Sequence, residues 1–191
     1  GALPGKEFIF IEAKESDLVS SNVGGTAEQT SALLEKARGG VLFIDEAYTL
    51  DKKGANVNFG QEAINTILKY MEDHRNEIMI IFAGYTKEME CFLKTNPGLK
   101  SRVPNVFEFE DYSEEEIVQL GEKHIQYSQY VLEDIDYYEK NLAKAYGASL
   151  DKSNGRWVRN FNEKLFRAMA NRSFKEEDDD VITIKNRDID E

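Results

Sequence analysis

The feature that most constrains the fold is a short apolar stretch, residues 41–44, which is followed at once by Asp45 and Glu46. Two of its four residues are β-branched, and a continuous apolar run of this length is typical of a strand that is covered on both faces. Such strands belong to parallel α/β sheets, which bind ligands at the carboxyl ends of their strands. The two carboxylates are therefore expected at a ligand-binding edge. A strand that leads into an acidic helix cap is the simpler alternative.

Two adjacent carboxylates at such an edge suit the hydrolysis of a metal-bound nucleotide. In a P-loop ATPase, an aspartate holds the hydration shell of Mg²⁺, and a neighbouring carboxylate activates or positions the attacking water. Asp45 and Glu46 are candidates for these two roles.

The first part of the chain alternates between strand and helix signals, which indicates a parallel α/β sheet. Thr26 with Gln29 predicts a capping box for a helix over residues 26–38, and Asn58 with Gln61 predicts a second helix start. Residues 15–25 are polar and predict an exposed loop. Besides residues 41–44, further strands are predicted at residues 8–12, 78–83 and 106–109.

After residue 110 the sequence becomes mostly helical and strongly charged. Ser113 and Glu116 predict a capping box. We therefore predict an α/β domain over residues 1–110 and a small helical domain over residues 111–191. The apolar face of one late helix is predicted to contain Val158, Phe161, Leu165, Phe166 and Met169.

Composition and charge disfavour some classes of function. The formal net charge of −12 argues against a nucleic-acid-binding protein, which needs a basic face. No apolar run approaches the roughly 20 residues of a transmembrane helix, and no signal peptide is visible. The single cysteine, Cys91, has no partner for an intramolecular disulfide bond, so we expect a reducing, cytoplasmic compartment. Because the chain starts with Gly1 rather than Met, we expect a processed or shortened product.

Two further positions could serve the same ligand. The run 78–83 is followed by Gly84, Tyr85 and Thr86, so a strand beside the acidic one would place Tyr85 or Thr86 where a γ-phosphate or the attacking water lies. An ordinary strand exit explains the same residues. Arg102 could stabilise charge on the nucleotide of a neighbouring subunit if the chain forms rings, and is otherwise a surface arginine.

Arg156 and Arg159 lie at the predicted start of the late helix. A cation in the first turn opposes the helix dipole and loses roughly 0.3–1 kcal/mol there. Two arginines at such a place suggest a task outside the helix, and a guanidinium matches phosphate oxygens. A salt bridge to the acidic surface is the alternative.

In this order the segments VLFIDEA, IIFAGYTKEM, NPGLKSRV and NGRWVRN resemble the AAA+ ATPases. More narrowly, they resemble the subgroup of stage V sporulation protein K and the red-type, CbbX-like rubisco activases. The resemblance extends over about residues 8–171. It implies that Asp45 and Glu46 form the Walker B pair and that Tyr85, with Thr86 as the alternative, occupies the sensor-1 position.

The resemblance also implies that Arg102 is the arginine finger and Arg156 the sensor-2 arginine of a helical lid, with Arg159 as a second candidate. Members of this family form hexameric rings that use ATP and Mg²⁺ to remodel a protein partner by pulling it through a central pore. The expected partners are thus a protein substrate and further copies of the same chain, with no membrane.

Two departures from the family pattern stand out. The pore loop of relatives carries an aromatic residue, an aliphatic residue and glycine, but the matching residues here are Asn22, Val23 and Gly24, which predicts a weaker grip on a threaded polypeptide. The phosphate-binding motif GxxxxGK[ST] does not occur, because residues 1–6 are one residue short of it and Glu7 follows them. We therefore expect the chain to begin downstream of this motif, and to be inactive towards ATP on its own.

The family sheet has the strand order 5-1-4-3-2, and strand 1 would lie upstream of residue 8. Residues 78–83 and 106–109 would be strands 4 and 5, so either these two strands pair directly or a second chain fills the gap. A non-catalytic AAA-like scaffold is the alternative to an ATPase. A DNA-associated factor is a third possibility that the net charge of −12 disfavours.

Overall fold

The computed structural model describes residues 9–51, 59–177 and 180–190. The chain divides into two compact units, residues 1–108 and 109–191, and each unit has its own apolar core. No helix in the described ranges is both long enough and apolar enough to span a bilayer.

A parallel sheet forms the centre of the first unit, as predicted. Its strand order is β1-β2-β3, with both pairs parallel. The register places Ala13 beside Ile44 and Ile44 beside Phe82, so the three strands end at one common edge. The strands are β1 (Phe10–Ala13), β2 (Val41–Ile44) and β3 (Met79–Phe82).

Helices cover one face of this sheet. Leu42 and Ile44 of β2 are fully buried there together with helix residues such as Leu34, Ile64 and Ile67. Each such side chain contributes roughly 1.5–3 kcal/mol by its removal from water. The helices of the first unit are α1 (Glu15–Leu18), α2 (Gly25–Ala37), α3 (Phe59–Asp73), α4 (Thr86–Thr95) and α5 (Pro97–Arg102), with a 3-10 helix at Ala47–Asp51.

The opposite face of the sheet is partly open. Phe10 is 51% exposed, and Met79 and Ile81 of β3 are 44% and 38% exposed. The prediction that residues 78–83 form a buried strand is therefore correct for the strand and wrong for its burial. The reason is that Met79 and Ile81 lie on this partly open face, whereas Ile80 and Phe82 on the other face of β3 pack against the core.

The predicted strand at residues 106–109 is wrong. This segment has no strand conformation, and Val106 and Phe107 are 72% and 82% exposed. A strand needs a neighbour that satisfies its N–H and C=O groups, and β3 pairs only with β2 among the described strands. The expectation that residues 78–83 and 106–109 pair directly is therefore also wrong.

The loop before α2 is more ordered than predicted, because it contains the short helix α1. The capping box predicted from Thr26 and Gln29 is wrong, since α2 begins after Gly24 and has no side-chain cap. The two polar side chains instead bind the preceding segment. Thr26 Oγ1 accepts a hydrogen bond of 3.1 Å from the Ser20 amide, and Gln29 Nε2 donates one of 3.0 Å to the Ser16 carbonyl. The predicted start of α3 at Asn58 lies outside the described residues.

The second unit is mainly helical, as predicted, and adds a two-stranded parallel sheet that was not predicted. The capping box is confirmed: Ser113 Oγ accepts a hydrogen bond of 3.3 Å from the Glu116 amide, and Glu116 Oε2 accepts one of 2.9 Å from the Ser113 amide. The predicted apolar residues of the late helix, α8, all lie in or against the core. The elements are α6 (Glu114–Tyr127), β4 (Val131–Leu132), α7 (Ile135–Ala148), α8 (Gly155–Glu176), β5 (Thr183–Ile184) and α9 (Asn186–Ile189).

A buried ion pair fixes the last segment of the second unit to α8. Arg172 Nε lies 2.9 Å and 3.2 Å from the two carboxylate oxygens of Asp188, and both side chains are almost completely buried. Arg172 Nη2 also donates a hydrogen bond of 2.9 Å to the carbonyl of Thr183. Because a buried charge without its partner is strongly unfavourable, this pair holds β5 and α9 against α8.

Candidate functional site

The carboxyl ends of β2 and β3 remain joined after both strands end. The amide of Ala83 donates a hydrogen bond of 2.9 Å to the carbonyl of Ile44, and the amide of Ala47 donates one of 3.0 Å to the carbonyl of Ala83. Residues 45–46 and 84–86 therefore leave the sheet side by side. The structure thus brings the acidic pair and Tyr85 with Thr86 to one edge, as the sequence predicted.

Asp45 is held at this edge by backbone contacts. Its amide donates a hydrogen bond of 3.0 Å to the carbonyl of Ala13, so β1 also contributes to its placement. Its Oδ1 accepts a hydrogen bond of 3.0 Å from the amide of Glu46. The side chain is only partly buried. The Glu46 amide thus orients one oxygen of the Asp45 carboxylate, and this carboxylate is accessible to a ligand.

Glu46 has an unusual backbone conformation. Its φ is +48°, in the left-handed region that non-glycine residues seldom adopt. The conformation turns the chain sharply out of β2, and the Glu46 carbonyl accepts a hydrogen bond of 2.8 Å from the Thr49 amide to begin the 3-10 helix. The side chain is exposed. Local strain of this kind is concentrated at functional sites because it fixes the direction of a side chain.

Tyr48, which was not predicted from the sequence, contacts the Glu46 carboxylate. Its hydroxyl group donates a hydrogen bond of 3.2 Å to Oε1 of Glu46. Its ring lies 6.4 Å from the ring of Tyr85, measured between centroids. Partial burial and the nearby Glu46 carboxylate raise the pKa of Tyr48, so its hydroxyl remains a donor at neutral pH. The only signal for this contact in the sequence is that a residue with a hydrogen-bond donor follows two positions after Glu46.

Tyr85 and Thr86 begin α4. Tyr85 is the N-cap residue and is 62% exposed, and Thr86 is the first residue of the helix. The carbonyl of Tyr85 accepts a hydrogen bond of 2.8 Å from the amide of Met89. Both side chains therefore lie at the positive end of a helix, which favours negatively charged groups such as phosphate.

Arg102 lies elsewhere in the first unit. It ends α5, its Nη2 atom is 3.3 Å from Oε2 of Glu72, and its Nη1 atom donates to the carbonyl of Gly98. Glu72 is near the end of α3, and this helix leads back to the start of β3. The contact therefore places Arg102 towards the opposite edge of the sheet from the acidic pair, and its own chain does not bring it to Glu46.

The predicted pore-loop residues lie between α1 and α2 and are all exposed. Val23 is 87% exposed. Gly24 has φ +82°, which a residue with a side chain would adopt only with strain. The amide of Asn22 donates a hydrogen bond of 3.1 Å to Ser20 Oγ. The loop thus presents Val23 as a single apolar side chain on an ordered turn.

Arg156 lies in the first turn of α8 and Arg159 at the start of the second turn, in the second unit, and both are exposed. Neither forms a salt bridge with a described residue, which disfavours the salt-bridge alternative. Hydrogen bonds from Ser153 lower the pKa of Asp151, and the charge of Arg156 adds to this effect. Asn154 Nδ2 donates a hydrogen bond of 2.7 Å to Asp111 Oδ1, so the start of α8 is tied to the segment that precedes α6.

Comparison with known families agrees with this architecture. The model of the ATPase family associated with various cellular activities (AAA) matches residues 5–111, more than half of the chain. The chain belongs to the AAA family. A model of the AAA lid domain matches residues 113–191, so the helical second unit corresponds to the lid.

Several AAA relatives cover most of this chain. Stage V sporulation protein K of Bacillus subtilis is 41% identical over 187 residues, which are 94% of this chain and 58% of the relative. The chloroplastic ribulose bisphosphate carboxylase/oxygenase activase of Cyanidioschyzon merolae is 37% identical over 94% of this chain and 64% of its own length. Protein CbbX of Cereibacter sphaeroides is 36% identical over 86% of this chain and 54% of its own length. The chain thus spans less than two thirds of each of these relatives.

Proposed function

We propose that the intact protein to which this chain belongs is an AAA+ ATPase that couples ATP hydrolysis to the remodelling of a protein partner. The observation that carries this proposal is the placement of Asp45 and Glu46 at the carboxyl edge of the parallel sheet, beside Tyr85 and Thr86. The family match supports ATP as the substrate. The activase name of the relative from Cyanidioschyzon merolae supports a protein target.

The acidic pair fits a magnesium ion that is shared with a nucleotide. Mg²⁺ prefers oxygen ligands, keeps several waters, and is usually held by one or two carboxylates together with phosphates. Asp45 offers such a carboxylate. The described residues contain no group of three or more metal-binding side chains, so the protein would hold the ion together with the nucleotide phosphates. Asp45 would hold the ion through water. When bound, the ion neutralises charge on the phosphate oxygens.

Glu46 would act on the attacking water, and a sensor residue would contact the γ-phosphate. The exposed Glu46 carboxylate can accept a proton from a water or orient it by a hydrogen bond. Tyr85 and Thr86 both offer a hydroxyl group at the helix start beside it, so either can supply the phosphate contact. We assign the sensor-1 role to this pair of positions.

The arginines would complete the site from other parts of the assembly. Arg102 points to the opposite sheet edge in its own chain, which is compatible with a finger that serves a neighbouring subunit of a homo-hexamer. Arg156, or Arg159 beside it, is exposed at the start of α8 and would serve as the sensor-2 cation. We propose a cytoplasmic location for this assembly.

We propose that residues 1–191 alone bind and hydrolyse ATP poorly. The sequence has no GxxxxGK[ST] motif, whose backbone amides and lysine hold the phosphates. Isothermal titration of the 191-residue chain with MgATP tests this directly, and the expected result is no measurable heat of binding. Tight binding would show that the described edge holds the nucleotide without this motif.

The function is tested by phosphate release from the intact protein. Glu46→Gln keeps the size and a hydrogen-bonding group but removes the base, so turnover should fall by about 10²-fold or more. Glu90→Gln is the matched control, because Glu90 is exposed on α4 and, among the described residues, pairs with Lys94 alone. It should retain full activity. If the wild-type protein releases no phosphate under these conditions, the scaffold alternative replaces the ATPase.

A further inference from the structure

We propose that Tyr48 is a positioning residue for Glu46: its hydroxyl group holds one oxygen of the Glu46 carboxylate, which leaves the other oxygen free to orient the attacking water. The inference rests on the proposed ATPase function and adds a residue to its machinery. It starts from the hydrogen bond of 3.2 Å between Tyr48 Oη and Glu46 Oε1.

The backbone of residues 46–49, where the chain leaves β2, is fixed at both ends. Glu46 has its left-handed φ of +48°, and the amide that follows it, on Ala47, binds the carbonyl of Ala83 at the end of β3. The Thr49 amide closes the turn on the Glu46 carbonyl. An exposed glutamate on a fixed backbone still has three rotatable side-chain bonds, so its carboxylate needs a further contact to stay in one place.

Tyr48 can provide this contact because its own ring is supported. A Cβ atom added to Gly84 would lie 2.7 Å from Cδ1 of the Tyr48 ring and 3.0 Å from Sδ of Met89. The absence of a side chain at Gly84 therefore lets the ring lie directly against the exit of β3. The ring of Tyr85 lies on the same strand exit, 6.4 Å from that of Tyr48. The position of the hydroxyl group is thus set by residues that follow β3.

The protonation state suits a donor. Burial and the Glu46 carboxylate both raise the pKa of Tyr48, so the hydroxyl group keeps its proton throughout the physiological range. An ordinary structural tyrosine would stabilise the fold through its ring, whereas a positioning tyrosine acts through its hydroxyl group. The two roles are therefore separated by the single oxygen atom that Tyr48→Phe removes.

The kinetic test uses the intact protein. Tyr48→Phe keeps the ring, so KM for ATP should change less than about twofold, while kcat should fall about tenfold because a misplaced catalytic group loses up to about 100-fold in rate. In a Glu46→Gln background the same substitution should have no further effect on kcat, since Tyr48 acts through Glu46. Tyr127→Phe, at a tyrosine that is 86% exposed, is the control and should behave as wild type.

A second measurement does not depend on activity. In the intact protein labelled with ¹³C at tyrosine Cζ, the Tyr48 signal is assigned by its loss in Tyr48→Phe and followed by NMR as the pH rises. The Tyr48 phenol should titrate at a lower pH in Glu46→Gln than in wild type, because the neighbouring negative charge is gone. If the intact protein has no ATPase activity, the proposed function is refuted. The titration then tests only whether the Tyr48 hydroxyl group contacts the Glu46 carboxylate. The inference is overturned if Glu46→Gln leaves the titration unchanged, if Tyr48→Phe retains wild-type kcat, or if it changes only KM.

Discussion

The hydroxyl group of Tyr48 lies 3.2 Å from Oε1 of Glu46, where the chain turns sharply out of β2. The Tyr48 ring rests against Gly84 at the exit of β3. The Glu46 carboxylate, at the end of β2, is therefore held by Tyr48, and the Tyr48 ring is supported by the residues at the end of β3. Movement of either exit would change the position of the Glu46 carboxylate, and this coupling makes the edge sensitive to single substitutions.

Arg102 should act on the nucleotide of a neighbouring subunit rather than on its own. Its ion pair with Glu72 keeps it near the opposite edge of the sheet. Arg102→Ala and Glu46→Gln should each abolish most of the ATPase activity of the intact protein. In rings assembled from equal amounts of the two variants, half of the subunits have an intact Glu46, and half of their neighbours have an intact Arg102. Roughly a quarter of the sites are then complete, so activity should return. Phosphate release from the mixture measures this.

Arg75→Ala is the control for the Arg102 experiment, because Arg75 is also an ion-pair partner of Glu72 and is 69% exposed. It should leave the activity unchanged. Inactive mixtures, together with rings of normal size on gel filtration, would show that Arg102 does not act across subunits.

Gly121 and Gly147 should respond to alanine in opposite ways. A Cβ atom on Gly121 would overlap the hydroxyl group of Tyr138 and lie 2.7 Å from Cδ1 of Leu142, and both of these side chains are fully buried. Gly121→Ala should therefore lower the free energy of unfolding by about 1–3 kcal/mol. At Gly147 the nearest atom is Glu114 Oε1 at 3.4 Å, so alanine should be neutral or stabilise by about 0.5 kcal/mol through its helix propensity. Urea unfolding followed by circular dichroism compares the two; equal effects would contradict the packing around Gly121.

Glu77 should make the stability of the first unit depend on acid pH. A hydrogen bond with His74, a hydrogen bond from Arg38 and the charge of Arg38 lower the pKa of Glu77 below its ordinary value of 4.5. A lowered folded-state pKa contributes stability above the unfolded-state pKa, and this stability is lost as the pH falls through the folded-state value. The difference in urea midpoint between wild type and Glu77→Gln should therefore be constant above about pH 6 and shrink below pH 4.5. A difference that stays constant down to pH 3 would contradict the contact.

The sequence predicted the acidic edge because its signal is local. The run Val41–Ile44 needs no distant information to be recognised as a strand, and the carboxylates follow it directly. The same logic failed for residues 106–109, which contain three apolar residues and Glu108. Their conformation depends on a neighbouring strand rather than on their own residues, and no described strand lies beside them.

Tyr48 and the strands β4 and β5 were missed for a different reason. The approach of Tyr48 to Glu46 depends on the left-handed φ of Glu46, and glutamate gives no sequence signal for that conformation. The strands β4 and β5 have two residues each, which is too short for an alternating pattern. The Tyr48–Glu46 contact and the pairing of β4 with β5 both depend on tertiary contacts, which cannot be predicted from the periodicity of the sequence.

The most direct test of the assigned edge is the identity of the nucleotide that remains on the intact protein. After incubation with radiolabelled ATP and Mg²⁺ and rapid gel filtration, Glu46→Gln should carry uncleaved ATP, while the wild-type protein should carry mostly ADP. Binding by the variant at wild-type stoichiometry would separate the loss of cleavage from a loss of folding. Bound ADP in Glu46→Gln, in the same proportion as in wild type, would contradict the assignment of Glu46 to the hydrolytic step.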